Sequence, residues 1–363
     1  FRTLWSVATQ SWQAVPETAK SAGKGGGSSR KRASKSSASG MVSGVALGLM
    51  ASGGVSAQAP PQPVPAPTQL PTGGKVTQGV ATLSQTTTAQ AAALTVTQSS
   101  QRAVVNWDTF NLGSAARINF AQPNAQAITL NRVNDANPSQ IFGRITSPGQ
   151  VVLTNAQGIY FSPTAQVDVG GLVATTHSIS DDNFMAGNTR FERNGATGKV
   201  VNDGQLNAAL GGYIALLAPE VQNAGVVVAQ AGTVAMATGD AITLNFAGNH
   251  TLASITTTLS TLATLVNNQH AVLAPDGQII LSAVALNKLQ AGVVKNSGTL
   301  EANSLVSKGG KIVLEGDDIT LTRTSKIEAK GALGGGTVLV GGDWQGSGDL
   351  RQATKVTMEA GAS

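Results

Sequence analysis

The 363-residue chain contains no cysteine, and only 4% of its residues are aromatic and 12% charged. Without cysteine no disulfide can staple the fold, so its stability must come from burial and hydrogen bonding. With so few aromatic rings, the core must be built from stacked aliphatic side chains. The three histidines, His177, His250 and His270, lack metal-ligand spacing, so we expect no zinc site and no other cofactor, and histidines that are exposed or in turns.

Long apolar runs are also missing. The run Met41–Met50 is far too short for a membrane span, but it follows a basic stretch at 30–35 and precedes the small residues Val55, Ser56 and Ala57. This order is typical of a secretory signal peptide. We predict a leader over residues 1–57, with an n-region at 29–40, an h-region at 41–53 and cleavage after Ala57.

The positive charge belongs to the leader. The formal net charge is +5, but residues 1–57 hold seven basic side chains and one acidic one, whereas residues 58–363 hold 17 basic and 18 acidic ones. The mature chain therefore carries a charge near −1. Net charge gives no support for a nucleic-acid partner.

Glycine-punctuated, alternating segments dominate the rest of the chain. There are 43 glycines, and short stretches such as 311–315 alternate apolar and polar residues, which indicates many short strands. Residues 58–74 contain six prolines and predict a flexible, polyproline-like linker.

A repeat of the form Asn-x-Gly-x-Leu/Val-x-Ala marks the second half. The intervals between its asparagines are 21, 45 and 28 residues, and intervals of this size are typical of the coils of a parallel β-helix. We expect the Asn and Gly positions to be coil corners with left-handed backbone. The corner residues are Asn202, Gly204, Asn223, Gly225, Asn268 (with His270 in the glycine place), Asn296 and Gly298.

The predicted fold is all-β: a right-handed parallel β-helix, or solenoid, with an N-terminal β cap and short helical insertions. Leucine, isoleucine and valine recur at helical steps over 252–266, and a similar pattern covers 285–289. We predict short helices on the side of the solenoid there.

From Lys75 onward the chain resembles the haemagglutination-activity, or two-partner secretion, domain of filamentous haemagglutinin and the high-molecular-weight adhesins. The first 28 residues resemble the extended signal peptide region of large exported bacterial proteins, through Trp12–Val15, Glu17–Lys20 and Gly23–Lys24. The motifs that carry the domain likeness are Val105–Leu112, Leu130–Val133, Ile141–Ile145, Gly149–Ile159 and Gly170–Thr176.

The resemblance implies a non-enzymatic adhesin of the cell surface of a Gram-negative bacterium, exported by the Sec machinery and an outer-membrane barrel transporter with POTRA domains, with a host glycan or protein as receptor. It divides the mature chain into a secretion domain core at 75–200 and continuing β-helix repeats at 201–363. The family's Asn-Pro-Asn-Gly motif reads Asn155-Ala156-Gln157-Gly158 here. The residues implied in secretion are Asn131, Arg132, Val133, Asn155, Gly158 and Ile159.

Two other functions stay open. Some β-helix enzymes that cut polysaccharides use clustered acids, and this chain has Asp181–Asp182 and Asp317–Asp318. The first pair precedes Asn183 in a predicted loop and the second follows Gly316 at a turn, so we expect solvated turn residues instead. The chain is also compatible with the delivery end of a larger toxin or haemolysin.

Overall fold

The computed structural model describes residues 2–6, 11–15, 63–248, 251–286 and 291–363. The chain forms two compact units, Phe1–Pro60 and Pro61–Ser363. In the first unit, strands β1 (Arg2–Ser6) and β2 (Ser11–Val15) pair antiparallel. The predicted n-region, h-region and cleavage site at Ala57 lie outside the described residues.

The second unit is built almost entirely of short strands. Its elements are β3 (Lys75–Gln78), β4 (Ala81–Thr87), β5 (Ala92–Gln98), β6 (Arg102–Trp107), β7 (Ala116–Ala121), β8 (Ile128–Val133), β9 (Ser139–Ile141), β10 (Arg144–Thr146), β11 (Gln150–Thr154), β12 (Gly158–Phe161), β13 (Gln166–Thr175), α1 (Asp181–Met185), β14 (Arg190–Glu192), β15 (Lys199–Asn202), β16 (Gln205–Leu217), β17 (Glu220–Asn223), β18 (Val226–Ala229), β19 (Thr233–Ala237), β20 (Ala241–Phe246), β21 (Leu252–Thr257), β22 (Thr264–Asn268), β23 (Ala271–Leu273), β24 (Gln278–Ala283), β25 (Gly292–Asn296), β26 (Thr299–Glu301), β27 (Lys311–Gly316), β28 (Asp318–Leu321), β29 (Lys326–Glu328), β30 (Thr337–Val340) and β31 (Lys355–Met358), with a 3₁₀ turn at Trp344–Gly346.

These strands stack in parallel as three faces of a β-helix. Face A contains β6, β8, β11, the second halves of β13 and β16, β19, β24, β27 and β30. Face B contains β5, β7, β10, the first halves of β13 and β16, β18, β23, β26 and β29. Face C contains β9, β12, β15, β17, β22, β25, β28 and β31. The predicted parallel β-helix is confirmed.

Two antiparallel pairings occupy the N-terminal end of this stack. Strand β3 pairs with β6 and β4 pairs with β5, and Val76, Ala81 and Leu83 pack against the core there. These strands are the β cap that the sequence predicts.

Part of the predicted flexible linker is instead packed on the first coils. Leu70 is buried, and the N–H groups of Gly113 and Ala115 donate to the carbonyls of Gln69 and Pro67 at 2.9 and 2.8 Å. The expectation of a free linker is therefore wrong for residues 63–74. The expected boundary between residues 200 and 201 falls inside β15.

Aligned aliphatic side chains fill the interior. On face C one inward column runs through Ile159, Val200, Val221, Val266, Val294 and Ile319, and each of these residues is buried. Burying such a side chain stabilises a fold by about 1.5–3 kcal/mol relative to leaving it exposed. The aliphatic column is the core that the low aromatic content predicts.

A lateral module, formed by α1, β14, β20 and β21, covers the outer surface of face A. Strands β14, β20 and β21 form an antiparallel sheet, and a second apolar cluster joins Val152 and Val173 of face A to Phe184, Phe191 and Leu244 of the module. Helix α1 begins after Ser180, whose side chain accepts a hydrogen bond from the N–H of Asn183. Face A is thus apolar on both sides.

The helix predicted over 252–266 is wrong. These residues form β21, a turn and β22, with Leu252 and Val266 buried in two separate strands. In the second predicted helix, Ala285 makes a bridge to Ser260, and residues 287–289 lie outside the described residues. Across the described ranges, no helix has the length and apolar character needed to cross a membrane.

Candidate functional site

Asn131 lies in an inward column of face A that is otherwise apolar. It pairs in register with Val105 on β6 and Leu153 on β11, and its side chain is fully buried. Its Oδ1 accepts a hydrogen bond from Nε1 of Trp107 at 3.1 Å, and its Nδ2 donates to the carbonyl of Val152 at 3.2 Å. Burying an amide costs free energy unless its polar atoms form hydrogen bonds. These two contacts satisfy the amide of Asn131, so asparagine is tolerated in this apolar column.

Arg132, the next residue, points outward and binds the lateral module. Its Nη1 lies 2.5 Å from Oδ1 of Asp181, and its Nη2 donates to the carbonyl of Ile179 at 2.7 Å. Asp181 occupies the first turn of α1, where a negative charge is favoured by the helix dipole. Val133 ends β8 and is largely buried.

Asn155 closes the turn between β11 and β12. Its Nδ2 donates to the carbonyl of Asn137 and to Oγ of Ser139, both at 3.0 Å, and its Oδ1 accepts from the N–H of Gln157 at 2.9 Å. Gly158 has φ +126°, in the region that favours glycine, and Ile159 is buried behind it. The turn forms without the proline and second asparagine of the family motif.

The two motifs meet at one corner of adjacent coils. Thr154 pairs with Arg132 across β8 and β11, so Val133 and Asn155 leave the two strands side by side. Every polar side chain of the six predicted secretion residues is engaged within the fold. In the folded state the corner therefore presents little of these side chains to a partner.

The four corner asparagines form a continuous ladder on face C. The Nδ2 atoms of Asn202, Asn223 and Asn268 each donate to Oδ1 of the next asparagine at 2.8, 2.8 and 2.7 Å, and Asn296 donates to Oγ of Ser325 at 2.6 Å. All four asparagines are fully buried. The sequence repeat is thus a repeat of side-chain hydrogen bonds between successive coils.

Glycine is required at the corners for a different reason from the one expected. Gly204, Gly225 and Gly298 are absent from the glycines with left-handed φ, so the predicted left-handed corners are wrong. A Cβ at each would overlap a backbone carbonyl oxygen of the preceding coil, that of Ser162, Gly204 or His270. Glycine is needed there because the coils approach closely.

The acids and histidines are more buried than their sequence context suggests. Asp317 is only 2% exposed: its Oδ2 accepts from the N–H groups of Ala285 and Gly292 at 3.0 and 2.9 Å, and its Oδ1 lies 2.6 Å from Nη2 of Arg351. The expectation of a solvated turn is wrong for Asp317, whereas Asp318 is half-buried.

His177 is fully buried, contrary to expectation, and His270 is exposed at its corner, as expected. His250 lies outside the described residues. In the described ranges no group of three or more His, Cys, Asp or Glu side chains has a geometry that holds a metal ion. Sequence reasoning missed Asp317 and His177 because the groups that bind their side chains are distant in the chain: Gly292 is 25 residues from Asp317, and Gly239 is 62 residues from His177.

Comparison with known proteins places the chain in a family. The model of the TPS secretion domain matches residues 68–329, about seven tenths of the chain, and the model of the extended signal peptide of type V secretion systems matches residues 1–46.

The similar proteins come from Haemophilus influenzae. Two heme/hemopexin-binding proteins are 30% identical over 65% of this chain and 29% identical over 79% of it. The matches span 26% and 32% of those relatives, so this chain covers about a quarter to a third of their length. The crystal structure of the HMW1 secretion domain is 27% identical, with a TM-score of 0.62, and the match covers 80% of this chain and 82% of that one.

The β-helix fold and the two matched family models indicate the same family. The chain belongs to the TPS secretion domain family, the secretion domains of TpsA exoproteins that Gram-negative bacteria export to their surface through a partner TpsB transporter.

Proposed function

We propose that the segment 75–200 is the part of the chain that the POTRA domains of the transporter bind, and that they bind it unfolded, before the β-helix forms outside the cell. The observation that carries this proposal is the TPS secretion domain match over a fold in which the strands of faces A, B and C pair with strands of adjacent coils. Such coils can fold one after another as they emerge, because the strands of each coil pair with those of the preceding one.

Folding outside the cell then favours forward movement. Each coil that forms buries its aliphatic column and removes that length of chain from the unfolded pool in the pore. The absence of cysteine supports this route, since no disulfide forms in the periplasm to block the pore.

We assign the six secretion residues a role in shaping the first coils. Asn131 and Asn155 are buried and engaged with backbone groups, and Arg132 holds the lateral module. A direct contact with the transporter would require the same side chains to be free. Binding of the segment to the transporter therefore precedes folding, and the role that we assign to these side chains is in the native state.

A deletion pair tests the proposal in cells that express the transporter. Removing residues 75–200 should abolish export while the cell-associated protein remains. The matched control removes residues 203–223, one coil of 21 residues that keeps an asparagine at the corner, and should still be exported. Normal export of the first deletion would sink the proposal, and loss of export in both would contradict the boundary at residue 200.

A point variant separates shaping from contact. Asn131→Leu keeps the size of the side chain but leaves the Trp107 Nε1–H and the Val152 carbonyl without their partner, at a cost of about 1–3 kcal/mol per unsatisfied group. We expect a less stable folded protein that binds isolated POTRA domains, when presented unfolded, as tightly as the unaltered chain. A loss of that binding would assign Asn131 a direct contact.

The whole exoprotein, we propose, is an adhesin for a host glycan or protein. The names of its relatives favour a second candidate, binding of heme or hemopexin. Measuring attachment of cells that display the complete protein to host cells, and separately to immobilised hemopexin, distinguishes the two.

We propose no enzymatic role. The acids considered for polysaccharide cleavage have other partners: Asp181 pairs with Arg132, and Asp317 with Arg351. Release of reducing ends from bacterial or host polysaccharides by the purified protein would overturn this view, and a toxic segment in the complete exoprotein would favour the delivery role instead.

A further inference from the structure

A cavity of about 270 Å³ lies between face A and the lateral module. It is distinct from the corner formed by Asn131 and Asn155. Its walls are mostly apolar and come from both sides of the junction; they include Val152, Val173, Phe184, Phe191, Leu244 and Phe246. An engineered cavity of about 150 Å³ binds benzene, so this one accommodates roughly ten carbon atoms.

Tyr213 forms one rigid side of the cavity. The phenol is buried, its ring lies against Gly171, where a Cβ would overlap the ring, and its hydroxyl donates to Oε1 of Gln150 at 2.7 Å. Its ring also meets that of Phe246 edge-on, with centroids 5.1 Å apart. Burial raises the pKa of Tyr213, so the phenol stays protonated and adds no negative charge to the cavity.

Arg102 brings a positive charge to this apolar space. Its Nη1 donates to the carbonyl of Phe184 at 3.0 Å, and its guanidinium lies 5.4 Å from the centroid of the Phe184 ring. Among the residues that the structure describes, no Asp or Glu side chain forms an ion pair with it. Burial lowers the pKa of Arg102, which reflects the loss of solvent around the cation.

The other arginines of this region differ. Arg132 and Arg193 lie 2.5 and 2.7 Å from the carboxylates of Asp181 and Asp240. A half-buried guanidinium without a carboxylate is costly, because carbonyl and ring contacts do not neutralise its charge. Gly187 lies beside this guanidinium and places no side chain over it; a Cβ there would stand only 3.3 Å from Nη2, a tight contact.

We propose that this cavity binds a single-tailed amphiphile with a carboxylate head, such as a medium-chain fatty acid. The carboxylate pairs with the free edge of the Arg102 guanidinium, which suits its planar fork, and the tail lies among the apolar walls. The site is independent of the transporter and of the proposed adhesive role.

Calorimetric titration of the secreted protein with decanoate, decanol and decylammonium tests the proposal. Decanoate should bind at least tenfold more tightly than decanol, and decylammonium more weakly than either. Arg102→Met should remove the preference for decanoate and leave the affinity for decanol unchanged. Equal affinities for the three probes, or no binding of decanoate at millimolar concentration, would overturn the proposal.

Two further variants guard against misfolding of the Arg102 variant. Ile128→Phe fills the cavity with Arg102 intact and should weaken both decanoate and decanol. Arg144→Met removes an exposed arginine on face B that pairs with Asp168, and should change neither. Unchanged decanoate binding in Ile128→Phe would place the ligand elsewhere and contradict the assignment.

Discussion

The imidazole Nε2 of His177 lies 2.8 Å from the carbonyl oxygen of Gly239, 62 residues further along the chain. His177 lies two residues after the end of β13, and Gly239 lies between β19 and β20, so this contact connects two points at which the chain passes between face A and the lateral module. Neutral imidazole donates its Nε2–H here. Burial lowers the pKa of His177 below its ordinary 6.5, and the charge of Arg193 lowers it further, against the opposing effects of the Gly239 hydrogen bond and Asp240.

We predict that acid destabilises the protein through His177. The unfolded chain takes up a proton near pH 6.5, whereas the folded chain does so only at lower pH, so stability is complete above pH 6.5 and falls as the pH drops below it. The melting temperature measured from pH 8 to pH 5 should decline more steeply in the unaltered protein than in His177→Gln, whose amide still donates to Gly239. His270→Gln, at an exposed corner, should retain the steep decline, and equal slopes in all three proteins would contradict the prediction.

Asn268 should contribute far more to the free energy of unfolding than its neighbour Asn267. Asn268→Ala leaves Oδ1 of Asn296 without its partner and Nδ2 of Asn223 with only a 3.5 Å contact to the carbonyl of Ala271, so we expect a loss of about 2–4 kcal/mol in the free energy of unfolding. Asn267→Ala, one residue earlier on the outward side of β22, should cost about 0.5 kcal/mol or less. Urea unfolding curves measure both, and comparable losses would mean that the ladder contributes little.

Asp317 should hold the backbone at Ala285 and Gly292 in place. Asp317→Ala removes the acceptor of both N–H groups and leaves Arg351 without its carboxylate, which we expect to cost about 3–5 kcal/mol. Limited proteolysis should then cut the chain faster next to Ala285 and Gly292. The control is Asp318→Ala, which loses only a half-exposed 3.7 Å ion pair with Lys355; cleavage as fast in this variant would argue against the role of Asp317.

Gly158 should not tolerate a side chain. A Cβ there would stand 2.8 Å from the carbonyl oxygen of Lys199, and the backbone is at φ +126°, so Gly158→Ala should lower the free energy of unfolding by about 1–3 kcal/mol. Gly248→Ala places its methyl group in open space and should be close to neutral. A thermal unfolding experiment that found the two variants alike would contradict this account of the turn.

The sequence predicts the repeated parts of this molecule well and the unique parts poorly. Asn202, Asn223, Asn268 and Asn296 stand out because the same corner chemistry recurs in four successive coils. The helix expected at 252–266 arose from leucines whose spacing is shared by two strands and the turn between them, and only the pairing of β21 with β20 resolves the ambiguity. The periodicity of a segment does not predict which strand it pairs with.

The contacts of individual polar residues could not be predicted from the sequence either. In the sequence, Asp317 follows Gly316 as a turn residue would. It becomes a buried acceptor because the fold brings Gly292 and Arg351, both distant in the chain, next to its carboxylate. The lateral module and the cavity beside it depend on contacts between β14, β20 and face A, which are distant in sequence. The corner at Asn131 and Asn155 was found through the family likeness, since nothing in its local pattern predicts burial.

The side-chain amides of the four corner asparagines on face C all point the same way, each donating to the coil that follows, from Asn202 to the hydroxyl of Ser325. Their dipoles therefore add along the axis, and each bond polarises the next. Because the amide dipoles are aligned in one direction, the hydrogen bonds of the ladder strengthen one another. Double substitution of Asn202 and Asn268, which share no hydrogen bond, should cost less than the sum of the single ones, a coupling that independent bonds would not produce.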